Sequence, residues 1–105
     1  MNKGDVYWIT FKTPDKKRPA LILTRNSAIP YLNAVTVIPI TTAIRDNAAS
    51  VWLDEDDGLS QESVINVDNI QTVSKQKVGA YITHLSEERM QEVFEAIKFA
   101  FGFDK

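Results

Sequence analysis

Residues 16–24 read KKRPALILT. Three cations are followed by a proline and then by an apolar run with no polar residue to ease the transition. A strand with one wet face alternates apolar and polar residues at period two, whereas ALIL is apolar at both parities. The strand read over residues 19–25, PALILTR, must therefore be covered on both faces, as in a closed or tightly curled sheet with a helix or partner against it. Pro19 lacks an N–H, which is tolerable at a strand's first position, where ladder pairing begins. On this reading Lys16 and Lys17 belong to the preceding turn, TPDKK.

The neighbouring segments extend the pattern. DVYWITFK (5–12) is rich in aromatic and β-branched residues, and AVTVIPIT (34–41) carries an internal Pro39 that signals an edge, bulge or bend. SVWLD (50–54), SVINV (63–67), IQTVS (70–74) and GAYIT (79–83) follow at spacings typical of a small sandwich or barrel. After Ser86, a good N-cap, the period changes. Met90, Val93, Phe94, Ile97, Ala100 and Phe101 form one stripe and Glu87, Glu88, Glu92, Glu95 and Lys98 the opposite face, with Gly102 as the stop. Phe99 and Phe103 stand off that stripe, where a loop or a partner subunit would cover them. The expectation is a single mainly β domain with a C-terminal α-helix.

Composition narrows the chemistry. The 105 residues include no cysteine, which excludes disulfides, zinc ribbons, iron–sulfur ligation and thiol catalysis together. The N-terminal segment lacks the apolar core of a signal peptide and no run approaches a membrane span, so a cytoplasmic protein is expected. Net charge is −2, but residues 1–50 carry seven basic and three acidic residues while residues 51–105 carry five and eleven. One half can face an anion while the other stays away from it.

Individual motifs are modest when read alone. Arg18, stiffened by Pro19, presents a planar fork suited to phosphate, although a basic turn is usually just a solvated turn. Thr41 and Thr42 end an apolar strand beside Arg45, where their hydroxyls suit a phosphate oxygen, yet threonine is also a common strand residue. DEDDG (54–58) lacks the order of a calcium loop and reads as a solvated acidic turn. His84, the single histidine, precedes the helix cap and reads as a local structural residue. No glycine-rich phosphate loop, zinc-protease motif or nucleophile elbow is present.

Taken in order, GDVYWITF, RPALIL, VTVIPITT, GLSQESVINVDNIQTVSK and ITHLSEERMQEVFEAI resemble the MazF/PemK toxins of type II toxin–antitoxin pairs over nearly the whole chain. The resemblance implies a small SH3-like barrel of the MazF/CcdB toxin type and a homodimer. It implies a metal- and cofactor-independent endoribonuclease that cuts single-stranded RNA, chiefly mRNA, and is neutralised by a cognate MazE-like antitoxin. The substrate's 2′-hydroxyl would attack the adjacent phosphorus, leaving 2′,3′-cyclic phosphate and 5′-hydroxyl ends. The family's arginine before proline falls on Arg18 and its threonine after the third strand on Thr41. These are the expected catalytic pair, with Lys16, Lys17, Thr42, Arg45 and Gln71 expected on the RNA. Many members carry an arginine and an aspartate where NIQTVS places Gln71 and Ser74, and the TPDKK loop is shorter than in many members. Two alternatives stay open: a CcdB-like gyrase inhibitor, and a barrel that binds RNA or protein without catalysis.

Overall fold

The computed structural model describes residues 1–12, 16–42 and 49–103. Seven strands form one antiparallel sheet: β1 (Asp5–Lys12), β2 (Lys16–Ile22), β3 (Ala34–Thr41), β4 (Ser50–Leu53), β5 (Ser63–Asn66), β6 (Gln71–Ser74) and β7 (Val78–His84). A single α-helix, α1 (Glu87–Ala100), follows. The order across the sheet is β4-β5-β3-β2-β1-β7, with β6 also paired to β3. Among the described residues no ladder joins β4 to β7, so the curled sheet is an open barrel.

β2 shows why the sheet must be covered twice. Ala20 and Ile22 enter one apolar cluster with Ile9, Ile29, Val35 and Val37. Leu21, between them, enters the other, with Val6, Ile38, Ile65, Val93 and Ala96. All three β2 residues are fully buried, and at ~25 cal/mol per Å² of apolar surface such two-sided burial stabilises the curled sheet. The second cluster is completed by α1, which lies against β4 and the 3-10 turn Val67–Asn69.

The two prolines mark changes of partner. Pro19 sits one residue before the β2–β3 ladder, which runs from Ala20↔Pro39 to Ile22↔Val37. β3 then leaves β2 and pairs with β5 from Ile40↔Ile65 onward. Pro39 is thus the last residue before the bend, where a missing N–H costs least. Contrary to the turn expected from TPDKK, β2 begins at Lys16, which pairs with Lys12 across a register shift between Thr10 and Lys12.

β5 and β6 are in effect one strand interrupted by the 3-10 turn. Stepping from Ile40 to Val37 on β3 moves the partner from Ile65 to Gln71, so the turn inserts three residues into the ladder. Asn66 caps that turn, its Oδ1 accepting from the Asp68 N–H at 3.0 Å.

The helix is capped as expected, the Ser86 hydroxyl oxygen accepting from the Arg89 N–H at 3.1 Å. At its other end the Gly102 N–H donates to Phe99 O and the Phe103 N–H to Lys98 O, the two bonds of a Schellman stop. Its buried centre is Val93 and Ala96, with Met90, Ile97 and Ala100 partly packed. Phe94 and Phe101, expected on the stripe, are instead more than half exposed, so the packed face is rotated away from them.

Candidate active site

The bend in β3 opens a cavity of about 360 Å³ whose walls include Arg18, Thr41 and Asn69. Its remaining walls are Pro39, Ser50, Val64 and Asn66. Ladder geometry explains why these residues meet. Residues opposed across an antiparallel pair carry their side chains on the same face. Thr41 opposes Val64, and Asn66 opposes Ser50. The β2–β3 ladder ends at Ala20↔Pro39, and Arg18 on β2 and Thr41 on β3, each two residues from that pair, both line the cavity beside Pro39. Four strands thus contribute to one face.

Val64 is buried and forms the floor, while Arg18 and Asn69 are exposed at the rim. The lining consists of a guanidinium, two hydroxyls, two carboxamides and two apolar side chains, with no carboxylate, histidine or thiol among these residues. Such a set favours an anion. A guanidinium keeps its charge and supplies a planar fork of donors, and the hydroxyls and carboxamides add neutral donors. The Asn66 Oδ1 already accepts from the Asp68 N–H, which holds the orientation of this side chain at the cavity wall. The same set lacks an ordinary general base, which suits chemistry whose nucleophile belongs to the substrate.

The other expected RNA contacts are dispersed. Alternation along β2 sets Lys16 on the Arg18 side. Lys17 is on the opposite face, where it lines a separate cavity with Trp8 and Lys77. Thr42 is exposed just past the end of β3. Gln71 lies outside the lining, its Nε2 donating to the Asn69 carbonyl at 3.4 Å, and Arg45 falls outside the described residues. Ser74 caps the turn Lys75–Lys77. Ser50, Asn66 and Asn69 were missed in the sequence. The signal for the last two was the pair of asparagines three apart in NVDN, which flanks the inserted turn.

The acidic turn and the histidine have structural partners. The Asp54 and Asp57 side chains cap their own 3-10 turn. Burial pushes the Asp57 carboxyl up, but the hydrogen bond from Arg89 and those from Asp54 outweigh it and hold it below its ordinary value. His84 Nδ1 lies 2.8 Å from the Oδ1 of buried Asp5. Among the described residues no cluster of histidine and carboxylate side chains suits a metal ion, and no helix is long and apolar enough to cross a membrane.

An open, curled seven-stranded sheet with one helix and a cavity at the β3 bend lined by one cation and neutral donors defines a small barrel with a candidate anion site. Comparison with known proteins makes the assignment specific. The family described as "PemK-like, MazF-like toxin of type II toxin-antitoxin system" matches residues 2–101, and the chain belongs to that family. Endoribonuclease MazF3 of Mycobacterium tuberculosis is 44% identical over 90 residues, covering 86% of this chain and 87% of that protein. The solved structure of Mycobacterium tuberculosis toxin MazF-mt6 superposes with a TM-score of 0.87 at 40% identity, covering 96% of this chain and 99% of that one. A mycobacterial endoribonuclease in complex with its cognate antitoxin gives a TM-score of 0.89 at 25% identity, covering 100% and 98%.

Proposed function

We propose that this toxin is an endoribonuclease that cuts single-stranded RNA in the cytoplasm, mRNA above all, with the scissile phosphate held between Arg18 and Thr41. The observation that carries the reading is the convergence of these two side chains on one cavity that lacks a carboxylate. The 2′-hydroxyl attacks the adjacent phosphorus, the 5′-oxygen departs, and a 2′,3′-cyclic phosphate remains. Arg18 stabilises the charge that builds on the phosphorane, where preorganised donors act most strongly. Thr41 orients the phosphate, and a flexible single strand lets nucleophile and leaving group come into line.

Lys16 supports the approach of the RNA backbone from the Arg18 side, and Gln71 acts through the Asn69 backbone it touches. Exposed Phe94 and Phe101, seven residues apart on one flank of α1, give the helix an apolar surface that supports a homodimer. A MazE-like antitoxin is the natural neutralising partner, given the structural neighbour solved with its antitoxin.

The test is cleavage of a long RNA in EDTA, with the ends mapped by sequencing. Wild-type protein is expected to cut and to leave cyclic phosphate, while Arg18→Ala and Thr41→Ala stay folded and stop cutting. Undiminished cutting by either variant would overturn the site assignment.

A further inference from the structure

We propose that the indole of Trp52 is the platform on which a base flanking the scissile phosphate stacks, which makes it a specificity-determining residue of the RNA groove. The proposal rests on the phosphate reading of the Arg18–Thr41 cavity.

Trp52 is 40% exposed in the middle of a strand whose adjacent residues, Val51 and Leu53, are 3% and 1% exposed. It belongs to neither apolar cluster. Among the described residues the one aromatic ring pair joins Tyr7 and Tyr81, and the one cation over a ring is Lys98 at Phe94. The indole therefore makes no aromatic or cation contact among the described residues, while keeping two-fifths of its surface in water.

Its position gives that face a use. Thr41 opposes Val64 on β5, and Val64 opposes Trp52 on β4. The three side chains form one transverse row on the face that holds the cavity. Strands lie about 4.8 Å apart, so Trp52 stands two spacings, about 10 Å, from Thr41, with Arg18 on the far side of Thr41. Among the described residues the β5 position between hydroxyl and indole is held by Val64, a short aliphatic side chain at the cavity wall. The row reads cation, hydroxyl, apolar floor, aromatic plane. A nucleotide presents its groups in the matching order: phosphate, sugar, base. With the phosphate at Arg18 and Thr41, the sugar lies over Val64 and the base reaches the indole. Base–aromatic stacking is how sheet surfaces commonly hold unpaired nucleotides.

Mapping the cut sites on a long RNA supplies a short substrate for the test. Trp52→Ala is expected to raise KM roughly 10-fold, within the range for loss of one base–aromatic stack, and to relax the end sequences at one flank. Trp52→Phe should recover most of the loss. A substrate abasic at that flank should cost the wild type a similar factor and cost Trp52→Ala nothing more. Independently of turnover, Trp8→Phe protein, which keeps Trp52 as its one tryptophan, should show quenched fluorescence on a non-cleavable 2′-deoxy substrate.

If the wild type cuts but Trp52→Ala retains its KM and end sequences, and abasic losses add to the mutation instead of merging with it, stacking is overturned while the catalytic reading survives. If the wild type cuts no RNA, the catalytic reading itself fails.

Discussion

Arg89 Nε lies 2.9 Å from Asp57 Oδ1, tying the first turn of α1 to the acidic turn after β4. The helix is otherwise held to the sheet mainly through Val93, Ala96 and their neighbours, so this ion pair fixes its N-terminal end. Arg89 also reaches Glu92 at 3.2 Å, but that partner is exposed and adds little.

The pair predicts an acid-sensitive component of stability. Asp57 titrates below its ordinary value near 3.8 when folded, so its contribution is fully present above that value. It is lost as pH falls through the lower, folded value. Asp57→Asn should lower stability at pH 7 by about 1–2 kcal/mol and flatten the decline below pH 4. Urea melts from pH 7 to pH 2.5 check this; an unchanged acid limb in the variant would contradict it.

Gly58 predicts a backbone effect of distinct origin. Its φ is +95°, and a Cβ there would lie 2.3 Å from Thr83 Oγ1. That hydroxyl donates to the Asp57 carbonyl at 3.0 Å, so moving it aside breaks a bond as well as costing strain. Gly58→Ala should cost about 2–4 kcal/mol, a fall in Tm of roughly 10 °C or more. Gly102 also has positive φ, +75°, but nothing lies within 4 Å of its Cβ position. Gly102→Ala should therefore cost only about 1 kcal/mol. Parallel thermal melts of the two variants separate contact from conformation.

Which parts were legible follows from physics local to the chain. The periods of β1, β3 and α1 and the caps at Ser86 and Gly102 are written in adjacent residues, and the structure keeps them. Lys16 and Lys17 read as turn residues because nothing local reveals the pairing with Lys12 and Thr10 that draws them into β2. The helix face is rotated because packing against β4 and the turn Val67–Asn69 selects Val93 and Ala96, and periodicity alone cannot choose between adjacent stripes. Arg18 and Thr41 were singled out through the order of whole segments, and both line one cavity. Ser50, Asn66 and Asn69 reach the cavity only through long-range register, which a motif does not carry.

Buried Asp5 supplies a third prediction. Its carboxylate accepts from the Asn2 N–H at 2.8 Å and the Tyr7 hydroxyl at 3.4 Å, besides meeting His84 Nδ1 at 2.8 Å. It joins the start of β1 to the end of β7. Asp5→Ala leaves these groups unpaired and should cost about 1–3 kcal/mol. His84→Ala, at an exposed ring, should cost under about 1 kcal/mol. A double-mutant cycle in denaturant measures the coupling, and equal losses from the two single variants would argue against this hierarchy.

The last prediction separates charge from geometry at the proposed catalytic pair, Arg18 and Thr41. Arg18→Lys keeps a cation at the cavity rim but replaces a planar fork by a single ammonium. If the guanidinium stabilises the phosphorane through two directed bonds, lysine should restore substrate binding while kcat stays about 100-fold or more below wild type, the scale of one lost transition-state donor. If it served only to attract the RNA, lysine would restore kcat as well. Thr41→Ser keeps the hydroxyl on β3 opposite Val64 and loses only a methyl group, so kcat should stay within about 10-fold of wild type. Single-turnover cleavage with saturating protein reads the rate of the chemical step for both variants, and steady-state turnover reads kcat. Full restoration by lysine would reassign Arg18 from transition-state stabilisation to binding, whereas a serine variant as inactive as Thr41→Ala would mean that the methyl group, not the hydroxyl, is what the site requires.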